Sequence, residues 1–232
     1  MSDPHDALAP FEAIARLGRA LGNPHRLRLL HLLCQCERTV EDLADAMNLS
    51  VVTVSHHLQR LRRVELVTSR KTGRYVIYGL ADADVRAFWL RYREFANCQL
   101  AELQVLVSDL AKQRNALGRV DPPTLKTLLE RDAAVVADVR PQAEYDAGHV
   151  RGAISIPLEQ LAQRLRDLPT DKIIVLYCRG PHCLLADDAQ RTLAAQGIRS
   201  LRMDEGVPEW DSAGLPVDRS PNFQPVVDSA KS

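Results

Sequence analysis

The chain has 232 residues, 46% of them hydrophobic, with 30 Lys+Arg against 30 Asp+Glu. That length holds two ordinary domains and that composition builds real cores, which excludes a disordered chain, while a balanced charge singles out no partner. No run approaches the roughly 20 apolar residues of a membrane span, and the start, MSDPHDALAP, lacks the basic-then-apolar pattern of a signal peptide.

With no export signal, the five cysteines at 34, 36, 98, 178 and 183 read as cytosolic thiols rather than a disulfide framework, so a cytoplasmic protein is expected. In chain order, the pattern predicts a helix from Pro10 to Leu21, stopped by Gly22-Asn23-Pro24, and a second from His25 to Cys34. Thr39-Val40-Glu41-Asp42 resembles a capping box for a third, Val40–Met47. Asn48-Leu49-Ser50 is a turn, and Ser50 can cap a fourth, Val51–Val64. The period then changes to that of two strands, 66–70 and 75–80, joined by Lys71-Thr72-Gly73-Arg74. A long helix from Asp82 to Leu117 follows, with Trp89, Tyr92, Ala96, Leu103, Leu106 and Leu110 on one stripe. Two short helices across a tight turn, then a hairpin, make a winged helix-turn-helix over 1–117.

Charge is concentrated here: residues 50–75 carry six Lys/Arg against one Glu. The predicted fourth helix turns Val54, Leu58 and Leu61 toward the core and leaves Thr53, Ser55, His56, Gln59, Arg60 and Arg63, with Ser50 at its start, to read DNA. Arg70, Lys71 and Arg74 at the hairpin tip suit phosphate or minor-groove contact. An isolated charge run is usually a solvated face, but here turn, cap, polar set and wing coincide.

Residues 11–117 resemble the ArsR/SmtB family of small dimeric bacterial repressors, through Leu21-Gly22-Asn23-Pro24-His25-Arg26-Leu27-Arg28-Leu29-Leu30, Val54-Ser55-His56-His57-Leu58 and Gly73-Arg74-Tyr75-Val76-Ile77-Tyr78. The resemblance implies a homodimer on a double-stranded operator, joined through its first and last helices. The family's Cys-x-Cys metal positions align with Thr39 and Glu41, so no metal is expected there. Cys34-Gln35-Cys36 lies one helix earlier, and cysteines two apart on a helix point about 200° apart. Cys34 reads as a core residue; Cys36, more exposed at a helix end, and Cys98, where some relatives keep a persulfide-sensing thiol, are candidate sensing thiols.

Residues 118–123 read as a linker, and 124–218 as an α/β domain with a parallel sheet: a helix over 124–130, a strand over 133–139, a loop over 140–153, a strand near 154–156, and a helix over 158–166. A strand over 172–177 then leads through a short loop into a helix beginning near Leu184, a strand follows over 200–203, and 219–232 is a flexible tail. Cys178 closes that strand and opens Arg179-Gly180-Pro181-His182-Cys183, where loop and helix-start amides can hold a thiolate.

Asp138-Val139-Arg140, Glu144 through Pro157, Tyr177-Cys178-Arg179 and Glu205-Gly206-Val207-Pro208-Glu209-Trp210 make this half similar to a rhodanese domain. The resemblance implies a sulfurtransferase chemistry in which Cys178 attacks a small sulfur donor such as thiosulfate or a polysulfide and becomes a persulfide. Asp138, Arg140 and His149 match motif positions and read as scaffold around the loop. Many single-domain rhodaneses have a basic residue where Cys183 stands, and Pro181 removes an amide. Arg179 and His182 supply positive character, and Cys183 can attack a Cys178 persulfide, a two-thiol relay. The leading expectation is a DNA-binding regulator whose rhodanese half senses or relays sulfane sulfur. The alternatives are a sulfurtransferase dimerised by its winged domain, and a soft-metal-responsive repressor using Cys34, Cys36 and His31. No cofactor and no membrane partner is expected.

Overall fold

The computed structural model of the protein describes residues 4–115, 118–169 and 171–221. Two compact units divide the chain, Met1–Trp89 and Leu90–Ser232.

In the first unit, α1 (Pro4–Leu21) and α2 (Pro24–Leu33) meet at a sharp corner. Asn23 caps α2 by accepting from the His25 and Arg26 amides, and Pro24 fills the first helical position, where no amide is needed. The buried Arg26 side chain reaches back to the carbonyls of Arg19 and Ala20, which α1 leaves without helical partners. After β1 (Arg38–Thr39) comes α3 (Val40–Met47), closed at its start by reciprocal Thr39 and Asp42 bonds. Asn48, left-handed at φ 53°, ends α3. Ser50 opens α4 (Val51–Arg62) by accepting from the Thr53 amide. β2 (Val67–Thr72) and β3 (Tyr75–Leu80) form the wing, and β1 adds to its inner edge in the order β1-β3-β2. Leu29, Leu30, Leu43, Val54, Leu58 and Leu61 are fully buried among these helices.

Three expectations change in this half. α1 begins at Pro4, so Pro10 lies inside the helix rather than at its start. β1, too short to carry a period of two, is new. The expected helix to Leu117 is two helices, α5 (Ala83–Gln99) and α6 (Ala101–Asn115), with 116–117 outside the described residues. The main-chain ladder still crosses the break, Leu100 N to Ala96 O at 2.9 Å and Gln104 N to Leu100 O at 3.0 Å. The Gln104 side chain inserts beside it, donating to the Cys98 carbonyl at 2.8 Å.

The second unit includes a four-stranded parallel sheet, ordered β6-β4-β7-β8. Its elements are α7 (Pro122–Glu130), β4 (Ala134–Asp138), α8 (Gln142–Ala147), β5 (His149–Val150), β6 (Ile154–Ser155) and α9 (Leu158–Leu161). β7 (Ile173–Tyr177), α10 (Leu185–Ala195), β8 (Ser200–Arg202), α11 (Val207–Ser212) and β9 (Val217–Asp218) complete it. One apolar core, with Leu161, Leu176 and Leu193, lies on the α9 and α10 face; another, with Leu125, Val175 and Trp210, lies on the α7 and α11 face.

The expected loop 140–153 thus contains α8 and β5, and the expected helix 158–166 is α9 plus a 3-10 turn, Leu165–Asp167. The expected linker is built into the domain. Val120 N donates to Arg202 O at 2.9 Å, Arg202 N to Gly118 O at 3.3 Å, and Asp121 caps α7. The expected flexible tail starts pinned, with Ser220 bonded through its amide and hydroxyl to Asp146; residues 222–232 lie outside the described residues. No helix among the described residues is long and apolar enough to cross a membrane.

Candidate sulfur site and candidate DNA interface

Cys178 leaves the carboxyl end of the central strand β7, where open parallel sheets place their sites. It is 1% exposed and Cys183 8%. The loop turns back through Cys183 N to Gly180 O at 3.1 Å, and the Cys178 thiol lies 3.7 Å from the Cys183 carbonyl. The two sulfurs also hydrogen-bond one another, and this is the largest influence on Cys183, lowering it to about 6 against the opposing effect of burial. The amides of Arg179 and Leu185, and the Arg179 guanidinium, help hold the charge. Burial pushes Cys178 well above an ordinary thiol, and the Cys183 bond and charge push it further; Arg202 and the Ala186 amide pull it back. Ionisation is thus favoured at Cys183 and opposed at Cys178, and each thiol's titration depends on the other's. The amides come from the loop and the first turn of α10, one or two residues beyond Leu184.

The other nominated loop residues are placed as follows. Arg179 clamps Glu144 of α8, Nη2 to Oε1 at 2.6 Å and Nε to both oxygens at 2.9 and 3.0 Å. Its positive character is thus shared with a fully buried carboxylate. Gly180 has φ 108°, which favours glycine, and the Glu209 carboxylate fills the space where its Cβ would stand. Glu209 also accepts from the Gly206 amide at 2.9 Å and from Arg93 of α5. A Cβ on Gly206 would come within 2.7 Å of the Arg179 main chain, so α11 packs directly on the cysteine loop. His182 is half-buried beside it.

Asp138 and Arg140 form a fully buried ion pair, Nη2 to Oδ2 at 2.6 Å, to which the Tyr177 hydroxyl donates at 2.5 Å. Arg140 also reaches the Gly148 carbonyl at 2.7 Å, and Asp138 raises it against burial, so it stays charged. His149 stacks on Tyr145 at 3.7 Å and bonds its carbonyl through Nδ1. The network ties β4, α8 and β7 together beneath the loop.

In the first unit, α4 buries Val54, Leu58 and Leu61 and leaves His56, Gln59, Arg60 and Arg63 exposed, with Thr53 and Ser55 partly so. The Ser50 hydroxyl is engaged by the Thr53 amide at 3.2 Å and hydroxyl at 2.8 Å. On the wing, Arg70 bonds Glu37 and Thr72, Arg74 lies over the Tyr75 ring, and Lys71 is exposed.

Cys34 and Cys36 are both buried, which corrects the expected exposure of Cys36; the chain turns inward after α2. Cys98 is exposed. Among the described residues no three His, Cys, Asp or Glu side chains gather as a metal group.

Arg202, Asp187, Glu144 and Glu209 surround the loop, and Val51, Val52 and Arg62 are exposed on α4, none of them among the expected site residues. A cation inside an otherwise apolar strand, Leu201-Arg202-Met203, and an acid inside Leu184-Leu185-Ala186-Asp187 were the available signals. Val52, 67% exposed at the start of α4, is an apolar residue suited to a thymine methyl.

Residues 23–69 match the description "Bacterial regulatory protein, arsR family", and residues 121–213 the description "Rhodanese-like domain". The HTH-type transcriptional regulator Rv0324 of Mycobacterium tuberculosis is 40% identical over 90% of this chain and 92% of its own. A transcriptional repressor SmtB homolog of Synechocystis is 44% identical over 39% of this chain and 67% of its own. Among solved structures, a homodimeric winged helix-turn-helix DNA-binding domain from Mycobacterium bovis is 36% identical, covering 44% of this chain and 93% of its own, with a TM-score of 0.40.

Proposed function

The chain belongs to the arsR family of bacterial transcriptional regulators and joins that DNA-binding domain to a rhodanese-like domain; on that premise we propose that sulfane sulfur taken up at Cys178 and Cys183 sets its operator affinity. The observation that carries this reading is the pair of buried thiols on one short loop after β7, with the Cys178 thiol 3.7 Å from the Cys183 carbonyl. Cys178 becomes the thiolate when its proton passes to Cys183 along their shared bond. The thiolate attacks the sulfane sulfur of a persulfide or polysulfide. A new S–S bond forms on Cys178, the donor's S–S bond breaks, and the donor leaves as a thiolate. Cys183, once deprotonated, attacks the inner sulfur, closes the Cys178–Cys183 disulfide and expels hydrosulfide. The dithiol is oxidised by two electrons, and the donor is reduced to a thiol and sulfide. Both sulfurs are nearly buried, which favours a held modification over many-turnover transfer.

On the DNA side, a homodimer presents two α4 helices to double-stranded DNA. His56, Gln59 and Val52 face bases, while Arg60, Arg63 and Lys71 meet phosphates. Exposed Phe95, Val105 and Leu106 on α5 and α6 support a seam with a second copy.

The test pairs mass spectrometry with operator binding before and after polysulfide. The wild type gains sulfur or a disulfide at the 178/183 peptide and changes operator affinity, whereas Cys178→Ser holds its affinity constant. A polysulfide response that survives Cys178→Ser removes the reading.

A further inference from the structure

The cations around the cysteine loop are placed unequally. Arg179 faces Cys183 but is clamped by Glu144 of α8. Glu209 of α11 adds a carboxylate at Gly180, and His182 lies in the loop itself. From the opposite side comes Arg202, fully buried at the end of β8. It pairs in register with Leu176, two residues before Cys178. Its Nη2 donates to the Cys183 carbonyl at 3.2 Å, the same oxygen that the Cys178 thiol approaches at 3.7 Å. Nη1 pairs with Asp187 in the first turn of α10, and Nε lies 3.3 Å from Asp204, which Arg119 also engages. The chain Arg119, Asp204, Arg202, Asp187 is neutral as it stands. The Arg202 guanidinium, held in that chain, is also bonded to the Cys183 carbonyl and so stands close enough to act on a negative charge at the sulfurs.

We propose that Arg202 is the positioning residue of the sulfur site: a buried cation that fixes the Cys183 carbonyl, favours a negatively charged Cys178, and is held in check by Asp187. It supplies from beneath the loop the charge that no side chain at loop position 183 can supply. This deepens the reading of a Cys178 thiolate and persulfide, both anions, and rests on it. Arg202 does not touch a donor, because its guanidinium is sealed under the loop.

The experiment measures site-resolved iodoacetamide alkylation of Cys178 and Cys183 against pH, on the full chain, by mass spectrometry. Arg202→Gln shifts the Cys178 midpoint upward and slows its alkylation at pH 7 about tenfold, the equivalent of one pKa unit. Asp187→Asn, nearly isosteric, leaves Arg202 less neutralised and shifts the midpoint downward. Arg202→Lys keeps the charge and stays near the wild type. A merely structural role loosens the loop in both neutral variants and moves them the same way. Shifts of one sign, no shift in either, or an Arg202→Lys profile matching Arg202→Gln each overturn the proposal. If Arg202→Gln does not fold, the direction of Asp187→Asn decides. Alkylation needs no sulfur donor, so this result is independent of whether polysulfide changes operator binding.

Discussion

At the scale of single residues, two thiols five positions apart acquire opposite properties. Cys183 receives a hydrogen bond from Cys178 together with two amides, and is lowered to about 6; Cys178, behind it, is pushed well above the ordinary thiol range by burial. An unfolded thiol titrates at roughly 8.5. Between about pH 6 and 8.5 the unfolded chain therefore holds a proton on Cys183 that the folded chain has released. Stability from this group rises with pH across that window, is fully present above it, and is lost as pH falls through about 6. Above the window Cys178 acts in the opposite sense, since the unfolded chain ionises and the folded one resists. Urea denaturation of the wild type and of Cys183→Ser, compared at each pH, gives a difference that grows from pH 6 to 8 in favour of the wild type. A difference flat across that range would show that Cys183 is not ionised in the folded pair.

At the scale of elements, Ser50 was nominated to touch DNA, and its hydroxyl opens α4. Ser50→Ala should cost about 1 kcal/mol of stability through the lost cap. Ser50→Asp keeps a cap and suits the helix dipole, so it should be about as stable as the wild type while repelling phosphate and weakening operator binding. Thermal unfolding and binding titrations separate the two, and equal affinity for Ser50→Asp and the wild type would take the start of α4 away from the DNA. Local signals of this kind are what the sequence carries well. Thr39 and Ser50 each bond an amide three residues on, so those caps and helices α3 and α4 were legible, whereas Asn23 read as a stop for α1 and not as the cap of α2. The strand–Cys178–helix order was legible for the same reason. Contacts between distant residues were not: nothing near Arg179 announces Glu144, and nothing near Cys183 announces Arg202. The break at Leu100 escaped because no glycine or proline marks it. α8 and β5 escaped because six and two residues are too short to reveal a period.

At the scale of the whole molecule, half of the large apolar residues exposed among the described residues lie on three helices, α1, α5 and α6. On α1 they are Leu8, Phe11 and Ile14, spaced at three residues, one helical face. On α5 and α6 they include Tyr92, Phe95, Val105 and Leu106. Trp89, expected on the same seam, is buried, while the Leu110 side chain lies outside the described residues. Phe95, 63% exposed, is thus a better seam residue than Trp89. Burying a phenylalanine contributes about 1.5–3 kcal/mol, so in the proposed dimer two copies of each such residue favour association against the cost of joining two chains. In a two-fold dimer with Phe95 in its seam, a charge at that residue is buried twice and costs desolvation on both sides. Phe95→Glu should therefore shift the protein from dimer to monomer in sedimentation velocity, without loss of helical content by circular dichroism. Operator affinity should fall with it, because one α4 reads only a half-site. A dimer that persists in Phe95→Glu, with operator affinity intact, would place the seam elsewhere.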